Sequence, residues 1–472
     1  MKRYLLFLSV LLILLSGLTS TFTKVAHAET VVAQTSSTCI NPNGTNTLHG
    51  TLGGANYTIS VPSNWNGTLV LYSHGYVSPS PNLLNPAPAV GDPLTGAALL
   101  QQGYALAGSS YSQNGWALQQ AFHDQIALLD FFSATCGQPT RTIAWGHSLG
   151  GIITAGLVQL YPDRFAGALP MCGVLAGGIG TWNQALDSAF AFDVLLAGNA
   201  LPIVHITNPS AAFNQAESIL GSAQKTPQGM ARIALAAALA DIPGWFNSSL
   251  PEPGSKDFST QEQNQFLWES QVDFSFAFGA RAELEFRAGG NPSWNTGVNY
   301  SKQLENSANY REVVALYKQA GLNLDQDLGA LAAAPRIAAD AGAVAYLNQY
   351  ISFNGNLNIP VLTMHTTGDG LVANQDEQAY ARVVRSAGES SLLRQVFVHR
   401  AGHCTFTPAE TLTAFQTLIH RLDSGKWEGS TDPAFMNQEA TAHGSTLNTA
   451  PSAFLDFEPT PFLRPFDIRN YP

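Results

Sequence analysis

The chain has 472 residues, 45% of them hydrophobic and 12% charged, which excludes a disordered protein and supplies enough apolar material for a full buried core. Its formal net charge is −11, from 33 acidic against 22 basic residues, and no basic face is clustered, which excludes nucleic-acid binding. The length suits a single core carrying a large insertion.

In chain order, residues 1–28 read as a signal peptide. Lys2 and Arg3 supply a positive start, residues 5–15 are apolar apart from Ser9, and Ala26-His27-Ala28 gives a small-x-small cleavage pattern. The mature chain is expected to start near Glu29 and to be secreted. The apolar run is shorter than the roughly 20 residues of a membrane span, and no second long run follows, so no stable membrane insertion is expected. Cys39, Cys136, Cys172 and Cys404 remain after cleavage. An even number in an exported chain predicts two disulfides, with three pairings open. Their spacing fits neither a zinc site nor a redox pair, so no metal or cofactor is expected.

Residues 57–61, 68–73 and 104–109 read as strands, with β-branched and aromatic residues between turn signals. Phe122, Ile126, Leu129 and Phe132 recur at helical spacing, so 117–134 reads as an amphipathic helix. A strand at 141–146, a helix at 149–161 stopped by Pro162, and a strand at 165–172 follow. This alternation predicts an α/β fold, a mostly parallel sheet with helices on both faces. It then stops. Residues 174–357 read mostly as helix and loop, with Ala-rich runs at 233–240 and 328–343 and with Phe190, Phe192, Trp245, Phe274, Phe276 and Phe278 scattered through them. A structureless loop of that length has no place in a compact domain, so the segment reads as an inserted helical cap. The alternation resumes with a strand at 359–365, a helix at 375–387, a strand at 393–399 and a helix at 409–422. The tail, 425–472, is rich in Pro, Gly, Ser and Thr and is expected to wrap the core in extended form.

Gly146-His147-Ser148-Leu149-Gly150 matches G-x-S-x-G. A strand runs into it and a helix leaves it, the context a nucleophile elbow needs. The glycines remove side chains that would collide with neighbouring elements and leave the Ser148 Oγ free above the sheet.

On these residues the chain resembles the α/β-hydrolase superfamily, in its secreted, capped serine esterase and peptidase types. The resemblance covers residues 39–173 and 358–424. It implies a triad in the order Ser, acid, His. Asp369, in Gly368-Asp369-Gly370 after the strand at 359–365, fills the acid's position; Asp376 and Glu377 are rivals on the next helix, where a solvated face is expected. His403, in Gly402-His403-Cys404, fills the base's position, while His399 lies within a strand and is expected to pack or face solvent. His403 would take the Ser148 proton, and Asp369 would fix the imidazole tautomer. The Leu149 N–H supplies one oxyanion donor, and the family's H-G-x loop, here His74-Gly75-Tyr76, implies the Tyr76 N–H as the second. The loop is neither H-G-G-G nor the H-G-G-P-G of proline-specific peptidases, which lowers those assignments. Tyr111 and Trp116 follow the strand at 104–109 and are expected either to touch substrate or to pack beneath the cap. His147, His123 and Asp124 are expected to be structural.

Cys172 ends the strand beside the nucleophile strand, and Cys404 follows His403. Both are expected on one face, so Cys172–Cys404 is the sensible bond and Cys39–Cys136 the remaining one. The leading expectation is hydrolysis of small-molecule carboxylic esters through an acyl-enzyme in an apolar pocket, since no carboxylate or arginine cluster marks a strongly charged substrate. The alternative is peptide or amide hydrolysis by the same triad, as in capped secreted aminopeptidases. Acyl transfer and a non-catalytic binding protein of the same fold are the remaining readings.

Overall fold

β1 (Asn46–Leu52) alternates half-buried and exposed residues, as an edge strand with one wet face does. Deeper in the sheet, β2 (Ala55–Val61) is mostly buried, and β3 (Thr68–Ser73) and β4 (Ala105–Ser109) are buried at every position. β5 (Arg141–His147), β6 (Gly167–Met171), β7 (Val361–Gly368), β8 (Leu393–Ala401) and the short β9 (Phe454–Leu455) complete the sheet of this computed structural model, which describes residues 39–466. The expected signal peptide lies outside the described residues. The strand order is β1-β2-β4-β3-β5-β6-β7-β8-β9. β3 to β8 pair in parallel, while β1, β2 and β9 join antiparallel at the margins.

The helices α1 (Pro93–Gln101), α2 (Leu118–Cys136) and α3 (Leu149–Leu160) connect the first parallel strands. Between β6 and β7 the chain forms α4 (Gly177–Phe192), α5 (Pro209–Ala223), α6 (Pro227–Ala238), α7 (Phe258–Trp268), α8 (Arg281–Ala288), α9 (Tyr300–Asn306), α10 (Tyr310–Ala320), α11 (Leu324–Ala333) and α12 (Ala341–Gln349). α7 runs into α8 through two π-helical turns, Glu269–Asp273 and Ser275–Ala280. After β7 come α13 (Gln375–Ala387), α14 (Pro408–Ser424) and α15 (Pro433–Ala442).

Alternation along the strands sorts their side chains between two apolar layers. Leu69, Leu71 and Ala144 pack with α2 and α3; Val70, Tyr72, Ile143 and Trp145 pack with α1 and α14. The helical insertion has a further core of its own around Leu186, Leu220, Leu235 and Val313. No helix among the described residues is long and apolar enough to cross a membrane.

The tail differs from its expected extended form. Asp432 caps α15 by accepting from the Ala434 and Phe435 N–H groups, with Pro433 in the first turn, a helix-start signal that Gly- and Ser-rich flanks obscure. The Asn437 side chain then hydrogen-bonds both the N–H and the carbonyl of Phe454, which sets β9 against β8. Farther on, Arg464 pairs with Asp187 of α4 at 2.6 Å, and Asp187 is fully buried.

Candidate active site

The β5–α3 turn places Ser148 at φ 60 and ψ −123, a backbone conformation that crowding on both sides enforces. A Cβ at Gly150 would stand 1.9 Å from the Ser73 carbonyl oxygen, and one at Gly146 2.5 Å from the same atom. Neither position has room for a side chain, so the two glycines let β3, β5 and α3 meet. The Ser148 N–H donates to the Met171 carbonyl at 3.0 Å, which fastens the elbow to the end of β6.

Asp369 follows β7 and is fully buried. Its Oδ1 accepts from the Leu371 and Val372 N–H groups at 3.1 and 3.0 Å, and its Oδ2 accepts from His403 Nδ1 at 2.7 Å. Burial alone would raise this carboxyl; the neighbouring His403 and His365 rings outweigh it and hold it below the usual carboxylate range. The Gly402 N–H donates to the Gly368 carbonyl at 2.9 Å and Thr366 Oγ1 to the Gly402 carbonyl at 2.8 Å, so the loops carrying Asp369 and His403 are laced together.

Disulfides join Cys172 to Cys404 and Cys39 to Cys136. Cys172 follows Met171, which holds the elbow, and Cys404 follows His403, so the first bond tethers the His403 loop to the strand beside Ser148. His403 Nε2 lies 3.4 Å from Cys404 Sγ, an oxidised sulfur that can only accept. Among the described residues Ser148 Oγ forms no hydrogen bond with His403; contacts of this kind often tighten only when substrate is bound. The Cys172, His403 and Cys404 side chains converge within 4.8 Å, but both sulfurs are spent in the disulfide and offer no thiolate to a metal.

Ser148, Leu149, Tyr76 and Trp116 line one pocket together with residues of α4 and the π-helical segment. Among the described residues neither the Tyr76 nor the Leu149 N–H donates a hydrogen bond. Tyr111 is placed elsewhere. It is 1% exposed, stacks on the His74 ring at 4.0 Å and donates from its hydroxyl to the His74 carbonyl at 3.1 Å. It therefore supports the loop that presents Tyr76 and does not line the pocket. His147 sits beneath the elbow with Nδ1 3.2 Å from the Tyr72 hydroxyl, and burial pushes its pKa down to about 4, so it stays neutral. Asp124 accepts from the Ser112 N–H and from His123, while His399 is half-exposed on β8 beside Glu252.

Two expectations need correcting. Asp376 and Glu377 do not lie on a solvated face; both are fully buried, because α13 turns its first turn inward over the end of β7. Asp376 accepts from the Ala176 N–H and Thr181 Oγ1, and burial pushes its pKa up to about 7. Glu377 accepts from Thr363 and Gln395 and faces His365 Nδ1 at 3.2 Å. His365, read only as a strand end, also reaches the Val372 carbonyl at 3.0 Å and lies 3.4 Å from Asp369 Oδ2. Burial disfavours a charge on this ring, but Asp369 and Glu377 prevail and push it up to about 10. Second, the pocket does hold carboxylates: Glu269 and Asp273 line it. Their four-residue spacing was visible, but an acidic pair on a helix is ordinarily a wet face, and only the fold turns this one inward.

Strand order and elbow together are those of the α/β-hydrolase fold. No protein-family model matches the chain. It is similar to an o-phthalyl amidase of Xanthobacter agilis, 29% identical over 421 residues, 82% of this chain and 89% of that protein. Among solved structures it is similar to an esterase from Aspergillus oryzae, with TM-score 0.38 and 13% identity over 81% of this chain and 80% of that one. An acylaminoacyl peptidase from Pyrococcus horikoshii aligns with TM-score 0.37 and 10% identity over 80% of this chain; the chain spans only 42% of that peptidase.

Proposed function

We propose that this chain is a secreted serine hydrolase that cleaves carboxylic esters through an acyl-enzyme intermediate, with Ser148, His403 and Asp369 as its triad. The observation that carries the reading is the 2.7 Å hydrogen bond from His403 Nδ1 to a buried Asp369, on a loop the Cys172–Cys404 disulfide ties beside the Ser148 elbow. His403 takes the hydroxyl proton as Ser148 Oγ attacks the acyl carbon, then passes it to the leaving oxygen or nitrogen. Water attacks the acyl-enzyme by the same route in reverse. The free N–H groups of Tyr76 and Leu149 serve the oxyanion. The helical insertion acts as the cap, supplying an apolar wall that includes Trp182, Phe274 and Phe276. Secretion rests on the N-terminal signal pattern and accords with the two disulfides.

Amide cleavage by the same machinery is the second reading, favoured by the likeness to a protein named an amidase. A fluorophosphonate probe on the mature protein tests the mechanism: labelling of wild type and none of Ser148→Ala is expected. Unlabelled wild type, or labelling that persists in Ser148→Ala, rejects it. Turnover of acyl anilides but not matched esters moves the answer to the amide reading.

A further inference from the structure

Glu269 and Asp273 line the pocket that holds Ser148. Glu269 is 1% exposed, and among the described residues neither of its carboxyl oxygens has a hydrogen-bond partner; Asp273 Oδ2 is buried and likewise unpartnered there. The charged groups acting on them are all acids: Asp273, Glu262 and Glu217 on Glu269, and Asp369 on Asp273. Burial and these like charges drive both carboxyls well above the ordinary carboxylate range. Among the described residues no arginine, lysine or histidine forms an ion pair with either. Of the other buried acids of the insertion, Asp187 and Asp327 are ion-paired with Arg464 and Arg232, and Asp241, Glu262 and Glu312 each accept a side-chain hydrogen bond, from Ser307, Gln224 and Gln265.

The two residues open and close one π-helical turn, Glu269–Asp273. Such turns are rare and recur at functional sites, because they re-aim side chains that an α-helix would direct elsewhere. Here both carboxyls reach the pocket beside Thr181, Gln184 and Ser188 of α4, with the Phe274 and Phe276 rings close by.

We propose that Glu269 and Asp273 form an ammonium-binding subsite of the Ser148 pocket, so that the preferred substrate is an acyl derivative whose acyl part carries a free primary amine, an aminoacyl ester or amide. This rests on the serine-hydrolase reading. A buried carboxyl pair without partners is costly, and an ammonium supplies both the opposite charge and three donors for the vacant oxygens. Aromatic faces nearby add cation–π attraction. An ammonium entering the pocket favours the ionised form of both carboxyls, whereas an acyl group bearing its own carboxylate adds a further like charge and opposes it, so one arrangement selects and rejects.

The test compares leucyl, N-acetylleucyl and o-carboxybenzoyl 4-nitroanilides, with matched benzyl esters of the first two, on full-length mature protein at pH 7. The free amine is expected to raise kcat/KM at least about tenfold over its acetylated counterpart. Glu269→Gln and Asp273→Asn are expected to bring that ratio near one. Equal rates in wild type, or preference for the acetylated or carboxylated acyl group, overturn the subsite. A measurement without variants stands beside it, the slowing of fluorophosphonate labelling by n-hexylammonium against n-hexanol. Protection at about a tenfold lower concentration of the ammonium is expected; equal protection rejects the subsite alone, whereas absent labelling rejects the serine mechanism and the subsite with it.

Discussion

The two walls of the Ser148 pocket are built on opposite terms. On the sheet side, Asp369 is held by two backbone N–H groups and His403, with His365 and Glu377 braced behind it. On the insertion side, among the described residues, both carboxyl oxygens of Glu269 and the Oδ2 of Asp273 have no hydrogen-bond partner. A fully partnered network keeps its geometry before any substrate arrives, which is what charge stabilisation in a transition state requires. An unpartnered one is completed only by what binds. On the proposed reading the pocket divides chemistry from selection, the first fixed at the strand ends and the second set in the helices laid over them.

That division can be broken at graded cost. Ser148→Ala should lower kcat/KM by about a millionfold in steady-state assays, as loss of a triad nucleophile does. Asp369→Asn should cost about 10⁴-fold while leaving the fold intact by circular dichroism, because the imidazole then holds the wrong tautomer. Arg464→Ala tests whether the tail secures the insertion. It strands a buried Asp187 and should destabilise the protein by about 3 kcal/mol in urea unfolding, with a lower midpoint. An unchanged midpoint would mean that the tail is not part of what holds the helices down.

The smallest effect tests the brace. His365→Gln should lower activity by about tenfold and shift the acid limb of kcat/KM upward in pH. The sign follows from Asp369, whose folded pKa is depressed: what it contributes is present above its ordinary pKa and lost as pH falls through the depressed one. Removing His365 raises that point, so the loss begins at higher pH. His365 itself works in the other direction. Its pKa is raised to about 10, so its stabilising charge is fully present below its ordinary value of 6.5 and lost as pH climbs through 10. The wild-type melting temperature should fall across that window, and the Gln variant should flatten the fall. A parallel pH profile in both proteins would reduce His365 to packing.

Much of the sheet side was legible before any coordinates. The strands expected at 68–73 and 141–146 announce themselves because burial on both faces demands apolar runs. Ser148, Asp369 and His403 stand at turns whose glycines the close approach of elements requires, so spacing and order pointed to them. The pairing of Cys172 with Cys404 followed from placing each beside its strand. Local sequence also determined α15, through Asp432 and Pro433, although a polar, glycine-rich neighbourhood concealed it.

Only the tertiary structure decided which acids are dry. Asp376 and Glu377 read as a wet helix face, and nothing in the sequence marked Glu269 or Asp273 as pocket acids, because a carboxylate's burial depends on what packs over it and not on its own neighbours in the chain. The same holds for Tyr111, whose place under His74 reflects a stacking partner 37 residues away. The sequence by itself determined the elements, the order of the triad candidates and the elbow, since those follow from period, turn chemistry and close packing. The fold alone determined which charges meet and which are left without a partner, since that depends on distances between segments far apart in the chain.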